Sequence, residues 1–313
     1  MQHFNSIDKV QLSDVWLTIG SFDGVHRGHQ EIIRKLTAGA HAKGAPAVVL
    51  TFFPHPAVTL QGRSFPFYLS SPESKAELLG RLGVDFLITH PFDAQVASTP
   101  AREFVAKLHQ HLLFRQLHVG HDFALGKGRQ GDIPFLKKLG EELGYQLTQI
   151  EPFKMGDELV SSTRIRFLLG AGQVDQAAHL LGRNYSVSGK VVVGDKRGRT
   201  IGFPTANLET WKERAIPAAG VYVCRATVSG STYQAVTNIG VRPTFEAEPA
   251  PPRIEAHLLD FDQDIYGQSL ALEFIQRLRG EVKFSSVNAL SEQIRQDVQQ
   301  AREVLDSDTL SNL

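Results

Sequence analysis

Val15-Trp16-Leu17-Thr18-Ile19 runs into Gly20-Ser21-Phe22-Asp23-Gly24-Val25-His26-Arg27-Gly28-His29, and this junction decides the fold of the first half of the chain. The apolar run reads as a buried strand and the small residues as a tight turn. Ile32, Ile33, Leu36 and Ala40 then mark one face of a helix. The alternation recurs outward from there. Residues 47–51 form a second strand, and Ser71-Pro72 opens a helix carrying Leu78, Leu79 and Leu82. Serine supplies the cap oxygen, and proline suits the first helical position. Residues 84–89 are a third strand, Thr99-Pro100 repeats the capping pattern before Phe104, Val105 and Leu108, and Leu117-His118-Val119 is a short strand. Strands alternating with helices predict an α/β domain whose parallel sheet is covered on both faces. Ligands of such sheets sit at the carboxyl ends of the strands.

The pattern changes after about residue 184. Strand-like runs at 189–193, 220–228, 233–238, 254–260 and 270–274 are separated by Gly, Pro and Asn, which reads as a small antiparallel barrel. A last helix from about Val287 carries Leu290, Ile294, Val298, Ala301 and Leu305 on one stripe and should pack on the barrel. The Pro-rich stretch 246–252 reads as an exposed loop. Two domains, 1–184 and 185–313, accord with a chain of 313 residues.

Lys plus Arg equals Asp plus Glu, 33 each, with a pI near 7.2. That balance argues against a dedicated binder of nucleic acid or of an anionic membrane. The single cysteine, Cys224, rules out an intramolecular disulfide and a Cys-based zinc site, and suits a reducing compartment. Residues 1–20 lack the apolar core of a signal peptide, and no apolar run approaches the ~20 residues of a membrane helix. A cytoplasmic protein is expected; composition leaves the oligomeric state open.

The 20–29 turn is the first chemical constellation. Small residues let backbone approach a phosphate, and the helix start adds positive potential. His26 and His29 are three apart, on one side of the first helical turn. There they can donate to phosphate oxygens as charge builds up; metal ligation and helix capping are the competing roles. Ser161-Ser162-Thr163-Arg164-Ile165-Arg166 opens another helix. Ser162 or Thr163 can cap it and meet phosphate, and Arg164 offers a planar cationic donor; a plain capped helix is the alternative. The loop Gly120-His121-Asp122-Phe123-Ala124-Leu125-Gly126-Lys127-Gly128-Arg129 resembles a P-loop but has the wrong spacing and no Ser or Thr after Lys127. It reads as a flexible loop able to contact a ligand, or as a plain connection.

The second constellation starts at Gly189-Lys190 and runs through Gly194, Gly198 and Arg199 to Gly202-Phe203-Pro204-Thr205-Ala206-Asn207. Glycines and basic residues suit a phosphate cradle, and the Thr205 hydroxyl and Asn207 amide oxygen are hard donors suited to magnesium on ATP. A turn built on Pro204 and Asn207 is the alternative. Ile254-Glu255-Ala256-His257-Leu258 alternates, so Glu255 and His257 share one strand face. A carboxylate beside a phosphate site can take a proton from an attacking alcohol; on an open surface it is merely solvated.

H-x-G-H at a strand-to-helix turn resembles the nucleotidylyltransferase superfamily. Taken with 51–56, 120–131, 161–166, 189–208 (including Pro204-Thr205-Ala206-Asn207), 238–245 and 255–267, the chain resembles the bacterial bifunctional riboflavin kinase/FMN adenylyltransferase family over nearly its full length. The resemblance implies a Rossmann-like domain followed by a six-stranded barrel, with riboflavin, FMN and ATP as substrates and Mg2+ as cofactor. It implies ATP binding by Gly20, Phe22, Asp23, His26, His29, Ser162, Thr163 and Arg164 in the first domain, with His29 and Arg164 catalytic. In the second it implies ATP binding by Gly189, Lys190, Gly198, Thr205 and Asn207, the last two holding the metal, and Glu255 as catalytic base. Flavin contacts are implied at Pro54, His55, Asp122, Phe123, Arg242 and Glu255. Phe53 stands where the family often has an acidic residue, and Ala124 and Leu125 replace an often larger and an often aromatic one.

Overall fold

The computed structural model describes residues 1–62, 66–194, 198, 201–240 and 252–311; Arg242, assigned above to flavin, lies outside the described residues. The chain forms two compact units, Met1–Ser162 and Thr163–Leu313.

In the first unit, β1 (Gln2–Phe4), β2 (Trp16–Ile19), β3 (Ala47–Phe53), β4 (Phe86–Pro91), β5 (Gln116–Gly120) and β6 (Gln146–Ile150) form one sheet in the order β1-β4-β3-β2-β5-β6. Every pairing in it is parallel. Its helices include α1 (Arg27–Ala42), α2 (Pro56–Gln61), α3 (Pro72–Arg81), α4 (Ala94–Ser98), α5 (Ala101–Leu112) and α6 (Ile133–Leu143). Strand alternation splits the core into two layers. Leu17, Val48 and Leu50 pack with Phe104, Leu108, Leu136 and Leu139 on one side of the sheet. Ala47, Val49 and Leu87 pack with Ile33, Leu36, Ala40 and Leu79 on the other. The sheet runs outward from β2 through β3 and β4, and β5 then returns to the other side of β2. This reversal opens a crevice at the carboxyl ends of β2 and β5.

Some expectations needed revision. Ser71 caps α3 as expected, accepting from Ser74 N at 3.2 Å. Thr99 does not cap α5: its hydroxyl donates to Gln95 O, closing the short helix α4 that Asp93 caps, and Pro100 at the α5 start makes no side-chain cap bond. The short edge strands β1 and β6 were not foreseen.

In the second unit, α7 (Ser162–Gly170, its first residue belonging to the first unit) and α8 (Val174–Leu181) lead into a closed barrel. Its strands are β9 (Tyr185–Val192), β10 (Ala206–Thr210), β11 (Gly220–Val228), β12 (Ser231–Gly240), β13 (Arg253–Leu258) and β14 (Ser269–Arg279), in the order β10-β13-β12-β11-β14-β9. Two further short strands, Lys154–Met155 and Glu158–Leu159, make a separate hairpin in the first unit. The last helix, α9 (Val287–Ser311), lays Ala301 and Leu305 on Val221, Val223 and Val236. That explains why β11 is apolar on both faces: one fills the barrel, the other meets α9. Cys224 is fully buried in β11, and burial pushes its thiol up to about 12. Asp297 of α9, nearly buried, is held by Arg279 at 2.8 Å. Helix α8 buries Val174, Ala177, Leu180 and Leu181 and packs on β14 and β9. The residues from 163 to 184, placed in the first domain by sequence pattern, thus fall within the second compact unit.

Candidate active sites

The turn after β2 stands at the mouth of the β2/β5 crevice. Gly20 follows β2, Gly120 ends β5, and the register Trp16↔Gln116 to Thr18↔His118 brings these two exits side by side. The turn is strained. Phe22, Gly24 and Val25 all have positive φ (46°, 77° and 40°), a conformation that is costly for phenylalanine and more so for β-branched valine. There is little room for a side chain at 20 and 28: a Cβ at Gly20 would stand 3.0 Å from the Phe22 ring, and one at Gly28 would stand 3.2 Å from the His26 ring.

His26 caps α1, its Nδ1 accepting from His29 N at 3.3 Å. The two imidazoles stack at 3.6 Å between centroids, and Phe22 meets the His29 ring edge-on at 5.2 Å. With Nδ1 accepting, a neutral His26 carries its proton on Nε2. His26 is buried and His29 half-buried.

Asp23 does a different job from the one expected. Its carboxylate is fully buried and accepts from Leu69 N, Ser70 N and Ser70 Oγ at 3.0–3.3 Å. Engaged in this way, it shapes the turn rather than meeting a nucleotide. The Phe22 side chain lies in the core, and its carbonyl accepts from Val25 N at 3.2 Å. Ser162, the last residue of the first unit, donates to Asp23 O at 2.9 Å. Thr163 is exposed, and the Arg164 guanidinium lies over the Phe167 ring at 5.1 Å.

The second site is built from strand register. Asn207 of β10 pairs with Glu255 of β13, and Glu255 pairs in turn with Asn238 of β12. Their neighbours Ala206, Leu208, Ile254, Ala256 and Ile239 are buried in the barrel, so Asn207, Glu255 and Asn238 form one row on its outer face. Arg253 reaches the Glu255 carboxylate at 3.9 Å. His257 Nδ1 meets Pro204 O at 2.8 Å and its ring packs edge-on to Phe203, tying β13 to the 203–207 segment. A Cβ on Gly198 would overlap the Phe203 carbonyl, and one on Gly194 would overlap the Asn207 carboxamide. Gly194 therefore clears space beside the Asn207 oxygen, and Gly198 lets its backbone pass close to the 203–205 segment. Gly189 and Lys190 do not join them. Both lie within β9, and the room a side chain at Gly189 needs is filled by Glu209 O, so that glycine serves strand packing. Thr205 also lines a pocket of about 390 Å³ with Val191, Ala206, Ala256, Leu258, Phe261 and Tyr266.

The oxygen donors of Thr205 and Asn207 suit a hard cation. Among the described residues no group of three His, Cys, Asp or Glu could hold a metal. An ion here would rest on these two oxygens and complete its shell with phosphate and water, which is magnesium's habit.

A family model described as FAD synthetase matches residues 8–164, and one described as riboflavin kinase matches residues 181–305. A bifunctional riboflavin kinase/FMN adenylyltransferase of Bacillus subtilis (strain 168) is 37% identical over 303 residues, covering 96% of this chain and 95% of the relative. The chain belongs to the bifunctional riboflavin kinase/FMN adenylyltransferase family. A relative of the same description from Escherichia coli (strain K12) is 37% identical over 289 residues, 92% of this chain and 91% of its own. A solved structure of a protein named macrolide-efflux protein from Streptococcus pneumoniae covers 96% of this chain and 98% of its own, at 32% identity and a TM-score of 0.88. Among the described residues no helix is long and apolar enough to cross a membrane. The FAD synthetase half is N-terminal and the riboflavin kinase half C-terminal, so the two transferase activities occupy successive parts of one chain.

In the FAD synthetase half, the residues assigned to flavin separate. Pro54 and His55 follow β3. His55 caps α2, donates its backbone N–H to the Tyr68 hydroxyl at 2.9 Å, and packs edge-on to Phe67. Phe53 lies 5.7 Å from Tyr68, so an aromatic cluster fills the place where the family often puts an acid. Asp122 is exposed and Phe123 packs against the core. The 120–131 loop, expected to be flexible, is laced: Leu125 and Gly131 exchange backbone bonds at 2.9 and 3.1 Å, Lys127 N donates to Thr99 O, and Arg129 donates to Asp122 O at 2.7 Å. Leu125 lies in this lacing and packs on the core, which accounts for an aliphatic residue there. Sequence reasoning gave no individual role to Asn238 in the barrel-face row, to Phe261 and Tyr266 in the pocket, or to Thr51 behind the 20–29 turn, although all four lie in stretches that carry the resemblance, and it passed over Lys75. The aromatic spacing in Phe261-Asp262-Gln263-Asp264-Ile265-Tyr266 was a usable signal for the pocket.

Proposed function

We propose that the two reactions are carried by the two residue sets just described. In the kinase half, the terminal hydroxyl of riboflavin attacks the γ-phosphorus of ATP, a P–O bond forms, and ADP leaves as FMN is made. Glu255 takes the hydroxyl proton as the bond forms, a contribution of roughly 10²–10⁴. Asn207 and Thr205 hold the phosphates, and they would hold Mg2+, which supplies charge neutralisation on the phosphates when bound. The single observation that carries this reading is the register Asn207↔Glu255, which brings side by side on one barrel face the two residues read here as phosphate ligand and base. The pocket beside Thr205, walled by Phe261 and Tyr266, suits the flat ring of one substrate.

In the FAD synthetase half, an FMN phosphate oxygen attacks the α-phosphorus of ATP and pyrophosphate leaves. No covalent intermediate is needed, so positioning and charge stabilisation do the work. His26 and His29, stacked over the turn, and Arg164 are the donors to the phosphates. The aromatic cluster around His55 suits the flavin. ATP is co-substrate at both sites. A cytoplasmic location accords with one inert, buried cysteine.

The test is one incubation with riboflavin, ATP and magnesium followed by separation of flavins. FMN and FAD should both accumulate with the intact chain. Bound but unchanged riboflavin would refute the reading, and a single conversion would leave only one of the two sites in it.

A further inference from the structure

Lys75 is a charged residue buried to 5% exposure in a helix whose other charged side chains lie at the surface or half-exposed. Its Nζ donates to Ser21 O at 2.7 Å and to Thr51 Oγ1 at 3.3 Å. The Thr51 hydroxyl donates to the same Ser21 carbonyl at 3.0 Å. Two donors from different elements, α3 and β3, thus grip one carbonyl, that of the residue just before the left-handed Phe22. The rest of the turn is clamped in the same manner: Asp23 by Leu69 and Ser70, Gly24 N by Ser70 Oγ at 3.0 Å, and Asp23 O by Ser162. Burial pushes the Lys75 ammonium down to about 8, with the nearby Asp23 charge opposing that shift. A lysine whose hydrogen bonds go to the turn and to the strand beside it is an expensive way to fill a hole that methionine would fill without desolvating a charge.

We infer that Lys75 is a positioning residue for adenylyl transfer, holding the Ser21 carbonyl together with Thr51 so that the strained turn presents the His26–His29 pair in one geometry. The inference rests on the reading of that turn as the adenylyl-transfer site. Strained φ values persist only where the surroundings over-determine them. Releasing Ser21 lets Phe22 and Val25 relax toward ordinary φ, and the imidazoles move with them.

The experiment uses the full chain with Lys75→Met, Thr51→Val, Thr51→Ser and His29→Ala. Steady-state conversion of FMN to FAD is measured well below the unfolding transition, with conversion of riboflavin to FMN followed in the same preparation. Lys75→Met should lower kcat for FAD by on the order of 10–100-fold with little change in KM for ATP, because binding groups remain and only their placement suffers. Thr51→Val should lose activity in the same sense, and Thr51→Ser, which keeps the hydroxyl, should restore it. FMN formation should be unchanged throughout. Normal FAD synthesis in Lys75→Met beside a dead His29→Ala overturns the positioning role alone. Normal synthesis in both removes the turn from the reaction and this role with it. If Lys75→Met fails to fold, the Thr51 pair decides, and equal activity in Thr51→Val and Thr51→Ser overturns the role.

Discussion

In the proposed reactions single side chains carry most of the chemistry, and their substitutions should separate the two. Under that proposal His29→Ala and Arg164→Ala would each remove one donor to the phosphates, which typically costs on the order of 10²–10³ in rate. FAD formation should fall by that much while FMN accumulates from riboflavin. Glu255→Gln keeps the shape of the β13 row but cannot take a proton, so conversion of riboflavin to FMN should fall by roughly 10²–10⁴ while supplied FMN still becomes FAD. A Gln variant with normal kinase turnover would end that assignment. Lys75 adds a stability signature. Its pKa falls from 10.5 in the unfolded chain to about 8 in the fold. Between those values the unfolded chain binds the extra proton, so stability rises as pH climbs from about 8 to 10.5. At roughly 1.4 kcal/mol per unit the gain is a few kcal/mol. Urea midpoints of the first unit measured across that window should rise in the intact chain relative to Lys75→Met. Parallel curves for the two proteins would contradict it.

At the scale of elements, glycines decide whether a turn and a strand can meet. Gly194 follows β9, and a Cβ there would overlap the Asn207 carboxamide across the β9–β10 pair. Gly194→Ala must displace the Asn207 carboxamide, so kinase turnover should fall by on the order of 10²-fold with FAD formation from supplied FMN unchanged. Kinase activity within a factor of two of the intact chain would show that Asn207 needs no such room. The elements also show what a sequence reveals. The β2-turn-α1 junction was legible because its apolar run, small residues and helical stripe are all local. The Ser71 cap was legible for the same reason, whereas Thr99 was misread because a serine-like residue before proline can also close the preceding helix. β10 was missing from the strand-like runs because Ala206-Asn207-Leu208 is too short to show alternation. Asn238 entered the kinase row only through the β12–β13 register, which no local pattern encodes. Lys75 was invisible, since a lysine among Glu73, Ser74 and Glu77 reads as a solvated helix face. Only the tertiary fold reveals that it is buried.

For the whole molecule the question is where one activity can be cut from the other. The matched family stretches end at 164 and begin again at 181, and the compact units part between Ser162 and Thr163. The helices between those points belong to the barrel by packing. α8 buries Val174, Ala177, Leu180 and Leu181; Leu169 O accepts from Ala218 N at 2.9 Å, and Arg277 donates to Ala171 O at 3.4 Å. Even Gly172 fits closely, since a Cβ there would stand 2.8 Å from the Arg277 side chain. We propose that a fragment 185–313 folds and makes FMN but no FAD, because the closed barrel, α9 and the Asn207–Glu255 row are all retained. A fragment 163–313 should do the same with greater stability. Deleting α7 and α8 strips those apolar side chains from the barrel surface they cover, and that exposed surface is the source of the expected difference. Denaturant titrations of the two fragments, read alongside riboflavin phosphorylation, check this. A 163–313 fragment that is insoluble or kinase-dead while the full chain is active would show that the barrel depends on the first unit. Equal midpoints for the two fragments would show that α8 covers nothing the barrel needs.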